Sequence, residues 1–319
     1  MKRVLGAAGL TFTLLTTLWV ASAWEPDRSV DSLKARWAAP PSTFLPLDGM
    51  NVHLRDEGSR DDAVPIVLLH GTSASLHTWD GWTAALSKNR RVIRFDLPGF
   101  GLTGPSPTSD YTIAAYSRFV VAMLDALSVK RCVLAGNSLG GEIAWATAVA
   151  TPDRVSALIL VDAAGHRLRS ASVPIGFRAA RVPVLNKLFL KLLPRRIVTS
   201  SVRNVYGDPS KVTDELVDRY FELTLREGNR AALPLRFEQA VSGANEENVK
   251  KVTAPTLILW GGLDGLIPLE HAALFAKEIA GSTLVTFPSL GHVPQEEDAA
   301  VSVAEVQRFL AAQRPPGLP

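Results

Sequence analysis

The chain has a single cysteine, Cys132, among 319 residues, so no intrachain disulfide can form. It lies in an apolar run, where packing is its expected role. Cysteines and histidines are not spaced as a metal-ligand cluster, and neither an EF-hand loop nor a Rossmann fingerprint occurs. Neither a metal nor a nucleotide cofactor is therefore expected. No internal repeat or low-complexity tract is evident, which excludes a repeat architecture. The formal net charge is only +3 and no nucleic-acid reading motif accompanies it, so a nucleic-acid partner is not expected.

What the chain does have is apolar patterning. With 47% hydrophobic residues it can bury one large core, and strand-like and helix-like runs alternate through most of its length, which predicts an α/β class. Strands are expected at Phe44 to Leu54, with Asp48-Gly49 as a hairpin turn, and at Ile66 to Leu69. Further buried strands are expected at Ala157 to Val161, Thr256 to Trp260 and Thr283 to Phe287.

Between the apolar run ending at Ala135 and a helix-like run from Leu139 lies Gly136-Asn137-Ser138-Leu139-Gly140, a G-x-S-x-G pattern. A serine there must leave a strand and enter a helix within one or two residues, and small flanking residues permit that strained turn. The positive end of the following helix favours the anion that forms when the serine attacks. A serine hydroxyl needs a base, and the base an orienting carboxylate. Asp264 follows the strand Thr256 to Trp260, and His292 follows Thr283 to Phe287 within Gly291-His292-Val293-Pro294. The chain order is serine, aspartate, histidine.

From about Leu45 to Leu310 the chain resembles the α/β-hydrolase fold family, of the serine esterase and lipase type. The resemblance rests on His70-Gly71 after a strand, Asp96-Leu97-Pro98-Gly99-Phe100-Gly101, the serine turn, and the Asp264 and His292 loops. It implies a mostly parallel central sheet flanked by helices, with a helical cap insertion. It also implies Ser138, Asp264 and His292 as catalytic residues, and the backbone N–H groups of Leu139 and Thr72 as the oxyanion hole, with Ser73 as the alternative to Thr72. His70 is by the same resemblance a structural residue of the oxyanion loop. Asp162 follows another strand, where some relatives carry their acid; Asp264 is preferred, and Asp162 is read as a loop or hinge carboxylate. His53, His77, His166 and His271 are read as surface or packing residues.

The loop His70-Gly71-Thr72-Ser73-Ala74-Ser75 lacks the G-G-G run of hormone-sensitive-lipase relatives and the H-G-x-G-P-G-A pattern of carbon–carbon bond hydrolases. Relatives with an aspartate at the turn, such as haloalkane dehalogenases and epoxide hydrolases, form an alkyl ester, whereas Ser138 would form an acyl ester. The resemblance therefore implies a carboxylic ester hydrolase preferring apolar acyl groups. Its alternatives are a cofactor-free haloperoxidase or perhydrolase, or a carbon–carbon bond hydrolase, on the same triad. From a different class, the alternative is a non-catalytic protein that binds ligands with this fold.

Residues 1–24 read as a signal peptide or transmembrane anchor, 25–44 as a linker, 45–162 and 252–312 as the α/β-hydrolase core, 163–251 as a helical cap, and 313–319 as a disordered tail. Lys2-Arg3 precede an uncharged stretch from Val4 to Trp24, and Glu25, Asp27 and Asp31 follow. That pattern predicts export, either with an uncleaved anchor and an extracytoplasmic domain (periplasmic in a bacterium) or with secretion after cleavage at Ala21-Ser22-Ala23. From Ala163 to Gly207 the cap has nine basic residues and no acidic one. Val184 to Leu193 reads as a helix with Lys187 and Lys191 on one face, so a membrane surface joins the ester substrate among the expected partners.

Overall fold

The computed structural model describes residues 23–167 and 169–313. Eight strands form one sheet in the order β1-β2-β4-β3-β5-β6-β7-β8. They span Thr43–Leu47, Met50–Glu57, Ile66–Leu69, Val92–Phe95, Cys132–Asn137, Val155–Val161, Thr256–Gly261 and Thr283–Phe287. β1 and β2 pair antiparallel, as do β2 and β4, and the remaining pairings are parallel. The expected hairpin is present: Leu47 pairs with Met50 across Asp48 and Gly49, whose φ values of 49° and 76° are those a two-residue turn needs.

Because successive strand residues face opposite sides, the near-continuous apolar strands feed two cores. On one face Leu69, Phe95, Leu134, Leu160 and Ile258 pack with α3 (Ile113–Ala126), α4 (Leu139–Ala150) and α10 (Glu270–Glu278). On the other, Ile66, Leu68, Val133, Ile159 and Leu257 pack with α2 (Asp80–Leu86) and α12 (Ala299–Ala312), which follows the short α11 (Pro294–Glu297). Cys132 is buried in the first core, and burial pushes its thiol up to about 12, so packing is its role.

The stretch 25–44 forms an ordered strap where a linker is expected. Helix α1 (Val30–Trp37) is capped by Ser29 and buries Leu33 and Trp37. The Trp37 indole donates to Glu222 (2.6 Å), and Arg36 to Asp218 and Glu222 (3.0 Å each). The apolar positions of α1 lie four apart on one face, and that face has found a partner in the chain itself.

The expected membrane-anchored, exported domain is also corrected. Among the described residues no helix is long and apolar enough to cross a membrane. Residues 1–22, which carried most of that expectation, lie outside the described residues, as do 314–319 of the expected tail. Ala23 is buried and accepts from the amide of Leu193 (2.9 Å), and the Glu25 amide donates to Lys191 (3.0 Å).

Between β6 and β7 the described residues hold five α-helices: α5 (Ile175–Arg181), α6 (Pro183–Phe189), α7 (Arg195–Val205), α8 (Asp214–Thr224) and α9 (Asn229–Gln239). The single helix expected over Val184 to Leu193 is not formed. α6 ends at Phe189, so Lys191 lies beyond it, and Pro194 separates it from α7, because the residue before a proline is biased away from helix. Arg195 is also unavailable to a basic lipid-facing patch, since Asp218 (2.7 Å) and Asp214 (3.4 Å) of α8 hold it.

Candidate active site

The parallel strands β3 and β5–β8 end on one edge of the sheet, and the chemistry-bearing residues follow those ends: His70 after β3, Ser138 after β5, Asp162 after β6, Asp264 after β7 and His292 after β8. Carboxyl ends of parallel strands are where ligands bind in such sheets.

Ser138 sits at φ 56°, ψ −117°, a strained conformation for a residue with a side chain. It precedes α4 but makes no side-chain cap hydrogen bond, so its hydroxyl is not consumed by the helix. Close packing enforces the turn. A Cβ on Gly136 would lie 2.1 Å from the Gly140 carbonyl oxygen, and one on Gly140 would lie 2.2 Å from that of Leu69. Gly136→Ala is therefore expected to destabilise the protein by about 3 kcal/mol or more, because the obstruction is backbone that cannot yield. A urea titration of the two proteins would check this, and an unchanged midpoint would contradict it.

Asp264 uses both oxygens. Oδ1 accepts from the amides of Leu266 (2.8 Å) and Ile267 (2.9 Å), and Oδ2 accepts from Nδ1 of His292 at 2.6 Å. With Nδ1 donating, Nε2 of the neutral ring is left as the acceptor. His292 and Ser138 line one cavity together with Thr72. Leu139 is the first residue of α4, so its amide is among those a helix leaves without an internal acceptor. Thr72 follows Gly71, whose carbonyl accepts from the Ala74 amide (3.2 Å), and Ser73 takes φ 60°.

His70 is buried with both nitrogens engaged, Nδ1 with the Gly71 carbonyl (2.8 Å) and Nε2 with the Leu97 amide (2.9 Å). Burial lowers its pKa, and these bonds specify a neutral ring that ties the Thr72 loop to the sheet. Asp162, at φ 44°, is fully buried. Oδ1 accepts from the Gly261 amide (2.9 Å), while Oδ2 has no hydrogen-bond partner among the described residues. Burial, reinforced by the nearby Asp264 charge, raises its pKa well above the usual carboxylate range. Asp162, Asp264 and His292 bring ligand-type atoms within 4.8 Å of one another. A metal ligated through His292 Nδ1 would have to break the His292–Asp264 hydrogen bond.

Three residues that sequence patterns did not single out hold the loops in register. The Asn137 side-chain amide donates to the carbonyls of His292 (2.9 Å) and Val161 (3.1 Å), stapling the serine turn to the histidine loop. Glu297 accepts from the amides of Gly291 (2.8 Å), Gly207 (2.9 Å) and Asp208 (2.8 Å). Glu296 accepts from Tyr220 (2.8 Å) and Tyr206 (3.1 Å) and pairs with Arg219. The Glu296-Glu297 pair just after His292-Val293-Pro294 is the sequence signal for the last two. Asn137 occupies a variable position of its motif and carries no such signal. His53, read as surface or packing, is buried and bridges Asp96 (2.8 Å) and Ser42 (2.9 Å).

A family model of the alpha/beta hydrolase fold matches residues 64–299. The chain belongs to the α/β-hydrolase family. In this family its relatives include a 2-hydroxymuconate semialdehyde hydrolase of Pseudomonas sp. (strain CF600), 31% identical over 273 residues, which cover 82% of this chain and 91% of that protein. A 2-hydroxy-6-oxo-2,4-heptadienoate hydrolase of Pseudomonas putida is 29% identical, covering 83% and 94%. Among solved structures, a meta-cleavage product hydrolase (CumD) matches with a TM-score of 0.73 at 26% identity, covering 85% and 98%. A membrane phospholipase A described as a bacterial virulence factor matches at 0.70 and 24%, covering 98% and 99%, which bears on the fold alone. As an α/β hydrolase, the protein has an eight-stranded, mostly parallel sheet and the hydrolase activity of its family.

Proposed function

We propose that this α/β hydrolase cleaves carboxylic esters with apolar acyl groups through an acyl-enzyme on Ser138. The observation that carries the reading is that the Asp264-bound His292 and the uncapped Ser138 line one apolar cavity. His292 Nε2 takes the Ser138 proton as Oγ attacks the ester carbonyl, and Asp264 stabilises the imidazolium that results. The oxyanion is held by the N–H groups of Leu139 and Thr72. His292 then returns the proton to the departing alcohol, and water activated by the same ring releases the acid.

Helices α5–α9 act as the cap over residues 163–251. Phe177, Phe189, Leu193, Val198, Val202 and Leu233 from it line the cavity beside Ser138, a surface that suits an acyl group and offers few polar partners. A p-nitrophenyl ester series from acetate to palmitate tests the reading. Turnover that requires Ser138, with a maximum at an acyl length longer than acetate, is the expected result. No turnover of any member by folded protein would overturn it in favour of ligand binding without catalysis.

A second reading, hydrolysis of a carbon–carbon bond on the same triad, is favoured by the two relatives named for that class of substrate. The His70 to Ser75 loop lacks the pattern of that branch. Turnover of 2-hydroxymuconate semialdehyde exceeding that of every ester would decide for it.

A further inference from the structure

Ser138 stands between two cavities. Thr72, Ser138, Phe177 and Leu266 line both, but the other walls differ. The first is apolar. The second, about 350 Å³ against about 90 Å³, is lined by Arg236, Arg181 and Glu142. Helix α9 contributes to both: Leu233 lines the apolar arm, and Arg236, three residues on and so on the same helical face, lines the other.

Arg236 is unusual among the buried arginines. Arg94 donates to Glu57 (2.9 Å) and the Leu76 carbonyl (3.1 Å), and Arg230 donates to Asp27 (3.1 Å). Arg236 has a side chain only 8% exposed, yet it makes no hydrogen bond among the described residues, and its Nε has no partner. Among the described residues its neighbour of opposite charge is Glu142, 3.9 Å away, too far for a hydrogen bond. A second cation stands beside it: Arg181 lies over the Phe237 ring at 4.5 Å. Its pKa is lowered by burial and then by the Arg236 charge. Arg236 is buried and Arg181 is exposed, and the carboxyl beside Arg236, Glu142, has its pKa raised by burial, so the cation is incompletely balanced. A buried guanidinium Nε–H without a partner is costly, and the Nη donors that line the cavity are open to a ligand anion.

We propose that Arg236, with Arg181 beside it, is a carboxylate-binding subsite, and that the substrate is an ester bearing a carboxylate on the side of the scissile bond that enters this arm. The proposal rests on the serine ester hydrolase reading. An anion completes the under-partnered Arg236, and the planar carboxylate matches the guanidinium fork. Arg219 pairs with Glu296 and lines neither cavity.

Two matched pairs of esters test the subsite: p-nitrophenyl hemiglutarate against p-nitrophenyl valerate for an acyl-side carboxylate, and 3-carboxyphenyl butyrate against phenyl butyrate for one on the alcohol side. Within one pair the charged ester is expected to have at least about a tenfold higher kcat/KM, and Arg236→Gln to bring that ratio close to one. The ratio within a pair cancels any loss common to both esters. Preference for the uncharged member in both pairs, or a ratio unchanged in Arg236→Gln, would overturn the subsite. Should Arg236→Gln not fold, Arg181→Gln replaces it, with the ratio expected to fall, and an unchanged ratio counts against the proposal. If folded protein hydrolyses none of the four esters, the ester hydrolase reading fails. The subsite is then judged by calorimetric titration with glutarate: saturable binding lost in the arginine variant supports it, and no binding overturns it.

Discussion

Ser138→Ala is expected to lower ester turnover by about 10⁵-fold while the protein keeps its fold, because the rest of the site provides only binding and oxyanion stabilisation. The strained φ of 56° is imposed by the packing of Gly136 and Gly140 against neighbouring backbone, not by the hydroxyl. Removing one oxygen that makes no cap hydrogen bond should therefore leave the melting temperature within a few degrees or slightly higher. Initial rates and a thermal melt on the same preparation measure both. A loss of less than about tenfold would mean that Ser138 is not the nucleophile.

Asp264→Asn is expected to cost about 10⁴-fold in kcat, since an amide can donate to Nδ1 and so favour the tautomer in which Nε2 carries the hydrogen and cannot act as base. The competing acid, Asp162, should behave oppositely. It is buried, its pKa is raised by burial and by the Asp264 charge, and the hydrogen bond it accepts from the Gly261 amide can be accepted equally by an asparagine oxygen. Burial and the Asp264 charge both favour the protonated form of Asp162, Asp162→Asn keeps the shape of that neutral form, and kcat should stay within about tenfold of the parent. If the two variants exchanged these effects, Asp162 would be the acid that orients His292.

Much of this arrangement was legible because its determinants are local. Apolar runs of four to seven residues announced β3, β5, β6 and β7, and Asp48-Gly49 announced the β1–β2 hairpin through the two positive φ values that turn requires. Ser138, Asp264 and His292 each sit just beyond a strand end, so recognising the strands located them. The strap 25–44 was less legible, since α1 owes its order to Asp218 and Glu222 of α8, nearly two hundred residues away in the chain. The helix expected over Val184 to Leu193 failed because periodicity alone does not register where a chain must turn to pack.

By itself the sequence determined the class of fold, the strand–turn–helix that presents Ser138, and the order in which Ser138, Asp264 and His292 leave the sheet. These follow from periodicity, glycine and loop chemistry within a few residues of each position. Only the tertiary structure decided how the loops are held and what surrounds the serine. Asn137 meets the His292 carbonyl across 155 residues of chain, and Glu297 gathers amides from two loops. Arg195 is taken up by Asp218, whereas Arg236, an arginine like any other in the sequence, has no hydrogen bond among the described residues and lines a cavity with Ser138. Which charges find partners and which remain for a ligand depends on distances between remote segments, and a linear pattern carries no record of those distances.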